Sequence, residues 1–540
     1  MDLAKVHFSD LLKELTDIGV LLSAEKDHSR LLELILRKAM ELTNADGGTL
    51  YTRADEIHLK FEIMITESLG IYTGGASGKA IEFYPIALYD KDGNPNTHMV
   101  ASWAVLKGET VNIEDAYADK KFDFSGTRMF DKKTGYRSRS FLTVPMTDHE
   151  NENIGVLQLL NAKNPESGEI CAFSRLDQQV VESLASQAAV TVTNRSLIDA
   201  QKNLFDAMIQ LIANAIDEKS AYTGGHCRRV PALTNMIADA ACRIDHGPLK
   251  DFRMDEDDKY ALDVAGWLHD CGKITTPEYV VDKATKLETI FDRVEVVATR
   301  FACLRQAAEA RMLRRFLQGR GIDDIPEDSQ YQAELQRLKE DVEFIKSINM
   351  GAESTSAADQ DRVREIGARK WTDLEGAAKD LLTENEHHNL MIGRGTLTVR
   401  ERQIINNHIT VTIEMLESLP YPKHLRNVPE YAGGHHEKMD GTGYPRGLKR
   451  EQMSIPARIM AIADIFEALT AGDRPYKKAM PLSKALTILG NMKLNNHIDP
   501  DLFDLFVHEK IYLHYAEQYL SRDQIDEFDI AAIPGYAPYH

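Results

Sequence analysis

Seven side chains of this 540-residue chain could share one piece of chemistry: His226, the adjacent pair His269-Asp270, His408, the adjacent pair His435-His436, and Asp464. Imidazole and carboxylate are the donors that borderline divalent ions such as iron, manganese or zinc favour. Five histidines and two aspartates exceed the needs of one tetrahedral ion and suit two ions that share a bridging carboxylate. Two ions about 3.5–4 Å apart can hold a hydroxide between them and clamp a phosphate. Asp270 is the natural bridge, because it stands beside a histidine at the end of the helical run Val264, Ala265, Trp267. A single helical histidine is more often a hydrogen-bonded core residue than a ligand. His387-His388, among Glu384, Asn385 and Glu386, reads as solvated surface of that kind.

The elements that must position these residues follow from hydrophobic periodicity. Residues 1–195 read as one α/β unit: helical spacing from Phe8 to Leu42, then strand-like runs at Phe141–Pro145 and Ile154–Leu160 separated by turn-rich segments such as Asp90–Pro95. A helix opens at Phe173-Ser-Arg-Leu-Asp177 and continues toward Ile212, giving a connecting helix over 196–220. From about 205 onward the chain is expected to be almost entirely helical. Within it, 288–388 stands apart. Ile290, Val294, Val297, Phe301, Leu304 and Ala308 step by four and three, as do Tyr331, Leu335, Leu338, Val342 and Ile345. Gly319–Pro326 lies between them as a turn, so the pattern is a heptad-like antiparallel hairpin. It reads either as a solvated extension or as a dimer contact, partner arm or lid.

Composition narrows the class. Lys and Arg total 64 against 84 Asp and Glu, a formal charge of −20, which argues against coating polymeric nucleic acid or lying on an anionic membrane. A 43% hydrophobic content is that of a chain with real cores. The start, MDLAKVHFSD, lacks the basic and apolar regions of a secretory signal, and no run approaches the roughly 18–20 apolar residues of a membrane span. The five scattered cysteines form no CxxC pair. A reducing cytoplasm is the expected location.

His269-Asp-Cys-Gly-Lys273 resembles the HDxGK signature of HD-domain phosphohydrolases, and His435-His-Glu-Lys-Met-Asp-Gly-Thr-Gly-Tyr-Pro445 resembles the HHExxDGxGYP signature of the HD-GYP subfamily. Asp464, followed by Arg474-Pro-Tyr-Lys477, is similar to that family's terminal metal aspartate and its phosphate-contacting stretch. Tyr222-Thr-Gly-Gly-His226 and Val399–His408 match the two remaining histidine contexts. The resemblance covers about 205–515 apart from the insertion. It implies an all-helical fold and hydrolysis of a cyclic dinucleotide, most often cyclic di-GMP to linear pGpG, with a further step to GMP left open. It also implies one ion on His226, His269, Asp270 and Asp464 and a second on Asp270, His408, His435 and His436, the native metals being iron or manganese. His269, Asp270 and Lys273 would be catalytic. Lys273, Arg474 and Lys477 would meet the phosphates, with Gly443, Tyr444 and Pro445 also contacting substrate. Gly441, Gly443 and Pro445 suit a loop that approaches a ligand closely and, equally, a tight interhelical turn.

Two departures from the family pattern matter. Some members carry a glutamate four residues before the first histidine that helps hold a third metal. Here that position is Tyr222, a poor ligand at neutral pH given a pKa of about 10. Two ions are therefore expected, with Glu218 the weaker substitute. The gap from Asp270 to His408 is also far longer than usual, and the alternative versions of one family segment, Lys283–Leu287 and Arg394–Leu397, flank the hairpin.

Ile113–Tyr117, Ser140–Pro145 and Ile154–Asn161 resemble GAF domains, particularly those of cyclic-nucleotide phosphodiesterases. Asn161, Phe173 and Asp177 fit the NKxnFxxxDE motif of those domains, whereas Ala162 and Gln178 replace its Lys and Glu, with Lys163 one residue along. That motif supports the fold from outside the pocket.

The expected architecture is α+β and multidomain. A GAF-like α/β sensory domain (1–195) is joined by a long helix (196–220) to an all-α HD-GYP domain (221–515) with its helical insertion (288–388), and a C-terminal tail (516–540) follows. The expected partners are a cyclic dinucleotide, an unknown small ligand at the GAF domain, and a second copy in a homodimer. The alternatives are a 3′,3′-cyclic GMP-AMP phosphodiesterase, or a sensor or partner-binding module that does not hydrolyse.

Overall fold

Strands covered on both faces read as near-continuous apolar runs. Residues 141–146 and 154–160 of the N-terminal sheet present themselves in that way. A computed structural model describes residues 3–219, 225–318, 329–351, 354–472 and 479–538. It divides into two compact units, 1–204 and 205–540.

In the first unit, helices α1 (Leu3–Ala24) and α2 (His28–Thr43) precede β1 (Ala45–Arg53), β2 (His58–Thr66), β3 (Ile71–Gly74) and β4 (Ile86–Ala87). Then come α3 (Val100–Lys107), β5 (Val111–Ile113), α4 (Ser125–Thr134), β6 (Phe141–Thr147), β7 (Asn153–Lys163) and β8 (Ile170–Cys171). The antiparallel sheet runs β3-β2-β1-β7-β6-β5, with β4 on β2 and β8 on β7. Its register is fixed by pairs such as Leu50↔Leu157 and Leu142↔Leu159. One face buries Leu50, Ile63, Leu142 and Leu157 under Leu32, Ile35 and Leu36 of α2 and under Val181, Leu184 and Ala188 of the following helix. The other packs Tyr51, Leu59 and Val156 against Ala101, Ala104 and Val105 of α3.

The GAF-like motif braces this unit. Asn161, fully buried at φ 55°, accepts from the Arg139 and Ser140 amides and donates to the Tyr136 hydroxyl and the Arg137 carbonyl. Lys163, one place along from the expected lysine, pairs with buried Asp46. Asp177 and Ser174 exchange side-chain-to-amide bonds of 2.7 and 3.1 Å that cap α5 (Arg175–Lys219), a single helix of 45 residues.

The second unit is built from α6 (His226–Arg243), α7 (Glu256–Leu268) and the short α8 (Glu278–Val281). The insertion follows: α9 (Val294–Leu317), α10 (Ser329–Asn349), α11 (Ala357–Gly367), the hairpin β9 (Lys370–Thr372) and β10 (Ala378–Asp380), and α12 (Glu384–Leu390). Then come α13 (Val399–Asn406), α14 (His408–Glu417), α15 (Val428–Gly433), α16 (Ile455–Thr470), α17 (Leu482–Leu494), α18 (Pro500–His508) and α19 (Ile511–Tyr519). The main core gathers Leu233, Leu262, Ala432, Ile459, Phe466 and Phe503. At its centre Gly266 lets α7 approach α6, since a Cβ there would lie 3.0 Å from the Pro231 Cα.

Three expectations are corrected here. The insertion is more than a two-helix hairpin: α11, the β-hairpin and α12 complete a small core of Val297, Phe301, Leu338, Ile345, Val363 and Leu381. Ile290 is 98% exposed and lies ahead of α9, so the helical seam starts at Val294. The segment expected as a tail is folded onto the core: Ile533 is buried, Gln524 donates to the Thr470 and Met480 carbonyls, and Lys493 donates to the Gly535 carbonyl. The proposed hairpin turn at 319–326 lies outside the described residues.

The insertion leaves and returns at one place. Lys283 Nζ reaches Glu401 at 2.8 Å and Asn389 at 2.7 Å, and the Thr396 hydroxyl donates to the Lys283 carbonyl. Lys286, fully buried, donates to Thr355 and to the Ile392 carbonyl. The segments 283–286 and 389–401 thus clasp each other at the base of the insertion.

Candidate metal centre

Helix ends position the histidines. His269, His408 and His435 each stand just beyond the last turn of a helix (α7, α13 and α15), where backbone carbonyls lack intrahelical partners. Each Nδ1–H donates to the carbonyl three residues back: His269 to Gly266 at 2.7 Å, His435 to Ala432 at 2.6 Å, and His408 to Ile405. That bond fixes the ring and leaves Nε2 facing inward. His226 begins α6, and its Nδ1 meets the Glu467 carboxylate at 2.5 Å. His436 stacks on Tyr444, centroids 4.9 Å apart and planes 23° from parallel.

All seven expected ligand side chains converge. His226 Nε2 and His269 Nε2 are 3.2 Å apart, and each lies 3.3 Å from Asp270 Oδ2. Asp464 Oδ1 is 3.4 Å from His226 Nε2 and 3.7 Å from His269 Nε2. On the other side Asp270 Oδ1 is 3.2 Å from His408 Nε2, which is 3.2 Å from His436 Nε2. Donor atoms of three sets, His226–His269–Asp464, His269–Asp270–His435 and His408–His435–His436, lie within 4.8 Å of one another. Asp270 therefore stands between two lobes, one oxygen toward each.

The donors fit divalent cations. Asp270 Oδ1 is buried and accepts no hydrogen bond, an arrangement costly for an anionic oxygen unless a cation meets it. The His226 and His269 rings both use Nδ1 elsewhere, so their facing Nε2 atoms need a proton or a cation between them. Donor atoms about 3.0–3.5 Å apart match ligands on a common ion at bonds of about 2.1 Å. The charges agree. Burial disfavours the His226 imidazolium, but the Glu467 and Asp270 carboxylates outweigh it and hold its pKa at about 9. The same contest, with Asp270 and Asp464, puts His269 at about 10. Burial and the positive His269 push His435 down to about 4, and burial with His435 depresses His436 as well. Burial of Asp270 is overcome by the charges of Lys273 and His269, which hold it well below the usual carboxylate range.

Other expected site residues land differently. Lys273 does not stand free for a phosphate: its ammonium rests on Asp270 Oδ2 at 2.5 Å, and the carboxylate raises its pKa against the effect of burial. Gly443 serves the loop itself, because a Cβ there would lie 2.4 Å from the Glu437 Cα and the Lys438 nitrogen. Tyr444 faces the centre through its stack on His436, whereas Pro445 is exposed. Glu218 is exposed, and its buried neighbour Asp217 instead accepts the Gly225 amide at 3.0 Å. Tyr222, Arg474 and Lys477 lie outside the described residues. His388 is exposed and His387 partly buried, apart from the cluster.

Sequence reasoning missed three supporting residues. Glu467, one turn after Asp464 on α16, holds His226 and accepts from Arg229 at 2.7 Å. Glu437, adjacent to the histidine pair, is 1% exposed and accepts the Arg446 and Leu448 amides at 2.8 and 2.9 Å, which shapes the loop under Tyr444. Lys219, the last residue of α5, donates to the carbonyls of Lys273, Ile274 and Thr276 and ties down the turn Cys271–Thr275. The i, i+3 spacing of Asp464 and Glu467 and the position of Glu437 inside the quoted motif were the available signals.

Among the described residues no helix is long and apolar enough to cross a membrane. Residues 27–192 match the GAF domain family and residues 385–502 the HD domain family. A 3′3′-cGAMP-specific phosphodiesterase 3 of Vibrio cholerae is 44% identical over 109 residues, 20% of this chain and 23% of that protein. Cyclic di-GMP phosphodiesterase PA4108 of Pseudomonas aeruginosa is 47% identical over 73 residues, 14% and 17% of the two chains. A cyclic di-GMP phosphodiesterase of Thermotoga maritima is 40% identical over 96 residues, 18% and 26%. The chain thus spans about a quarter or less of the length of these relatives. It joins an N-terminal GAF domain to an HD domain whose matched segment holds His408, His435, His436 and Asp464.

Proposed function

We propose that this chain is a metal-dependent phosphodiesterase that hydrolyses a cyclic dinucleotide, cyclic di-GMP to linear pGpG first among them. The observation that carries the reading is the two-lobed cluster bridged by Asp270, set beside Tyr444. His226, His269, Asp270 and Asp464 would hold one ion, and Asp270, His408, His435 and His436 would hold the other. The imidazole-rich donor set suits iron or manganese. Ions bound there would supply Lewis acidity toward a phosphoryl oxygen and a lowered pKa for water. Lys273 keeps the bridging carboxylate ionised and places positive charge beside the reacting phosphate. Tyr444, stacked on His436, would contact the substrate, and the family resemblance assigns Arg474 and Lys477 to its phosphates. The GAF domain binds a small ligand and regulates turnover, in a cytoplasmic homodimer.

A second reading keeps the chemistry and changes the base: 3′,3′-cyclic GMP-AMP, the molecule in the name of the relative that is 44% identical. The test is product analysis with anaerobically purified, iron- or manganese-loaded chain against both dinucleotides side by side. Faster turnover of cyclic di-GMP supports the first reading, and faster turnover of cyclic GMP-AMP the second. No turnover of either by fully metallated protein overturns both.

A further inference from the structure

The two lobes are not built alike, and the difference lies behind the ligands. His269 and His435 take their orientation from helix C-termini, which offer spare carbonyls, and His408, although it opens α14, follows α13 closely enough to use the Ile405 carbonyl. His226 is the first residue of α6, and a helix N-terminus offers N–H groups instead. An acceptor for its Nδ1–H has to come from another element. α16 supplies it: Glu467, 1% exposed, meets His226 Nδ1 at 2.5 Å with one oxygen and Arg229 Nε and Nη2 at 2.7 Å with the other. Asp464 lies one turn earlier on the same helix and faces the opposite ring nitrogen, 3.4 Å from Nε2. One face of α16 thus grips the His226 ring from both sides. Gly225, the residue before it, turns the chain into α6 at φ 84°, a conformation that favours glycine.

We infer that Glu467 is the positioning residue of the first lobe and makes the two ion positions unequal in affinity. This rests on the two-ion reading above. An anionic acceptor behind an imidazole raises its donor strength as well as fixing its tautomer, and loss of such a partner typically costs about 10–100-fold in metal affinity. A neutral backbone carbonyl does less. Glu467 therefore governs the ion on His226, His269 and Asp464, and the ion on His408, His435 and His436 is indifferent to it. Arg229 aims the carboxylate by holding its second oxygen at 2.7 Å.

The test is calorimetric titration of Mn²⁺ into the metal-free full chain, wild type beside Glu467→Gln, with metal counts after equilibrium dialysis. The expected result is two sites in the wild type and, in the variant, one site weakened about 10–100-fold with the other unchanged. The paired change Glu467→Leu with Arg229→Met removes both charges, leaves neither buried alone, and is expected to give the same split should the glutamine variant fold poorly. Unchanged affinity at both sites, or equal weakening of both, overturns the role of Glu467 while leaving the two-ion reading standing. A wild type that takes up no Mn²⁺ overturns that reading, and the inference with it.

Discussion

Asp270 Oδ1 lies 3.2 Å from His408 Nε2, although the helical insertion separates the two residues in the chain. The approach is built from backbone. Gly272 packs its turn directly on the start of α14, its amide donating to the Thr412 hydroxyl at 2.9 Å. A Cβ on Gly272 would lie 2.0 Å from the His408 carbonyl oxygen. The glycine of the HDxGK segment thus serves the contact that brings the bridge to the second lobe.

Gly272→Ala is expected to force that turn away from α14. Overpacking of this kind costs about 1–3 kcal/mol, read by urea unfolding. The displaced His408 should also lower metal content toward one ion per chain, read by elemental analysis. Wild-type stability with two ions would show that the contact is not needed.

The metal-free chain should be most stable near pH 6.5. His226 and His269 have folded pKa values of about 9 and 10 against an ordinary 6.5, so their stabilisation is complete below 6.5 and is lost as pH rises toward 9–10. His435, depressed to about 4, loses its contribution as pH falls from 6.5 toward 4. Asp270 and Asp464, held below the carboxylate range, contribute above it and lose stability in acid. Metal uptake at pH 7.5 should therefore displace about one to two protons. Calorimetry in buffers of different ionisation enthalpy reads this, and no buffer dependence would contradict it.

The seven histidine and aspartate side chains were legible as a group because their spacing and neighbours are chemical, and the geometry brings all seven together. The supports were harder to read. Glu467 and Glu437 look like ordinary helix and loop glutamates until burial shows each as the acceptor that fixes a ring or a loop. The family resemblance sets Lys273 against a phosphate, and no signal in the sequence showed that its ammonium also reaches Asp270 at i−3. In the N-terminal unit, α5 and the long strands β6 and β7 were visible in the periodicity, whereas the folded 516–538 segment, with few apolar residues in regular order, was not.

Glu437→Gln should loosen the loop from Met439 to Lys449 without touching a ligand. Hydrogen bonds to a charged acceptor contribute about 1.5–3 kcal/mol each, and the amide retains at most one strong acceptor for the Arg446 and Leu448 amides. The expected outcome is a raised KM with two ions still bound. An unchanged KM would remove the loop from substrate binding.

Lys219→Met should free the carbonyls of Lys273, Ile274 and Thr276. Loss of one charged donor is expected to lower stability by about 2 kcal/mol and to reduce kcat/KM through a less ordered Lys273, with metal content retained. Unfolding and steady-state kinetics read the two effects separately. Wild-type kcat/KM in a destabilised variant would confine Lys219 to a structural role.

The most direct test of the account is hydrolysis of cyclic di-GMP by anaerobically purified, metal-loaded chain, beside the double variant His435→Ala, His436→Ala. Linear product from the wild type alone, with metal content lowered in the variant, is the result the account predicts. Equal product from both proteins would contradict it, because turnover would then not depend on the second lobe.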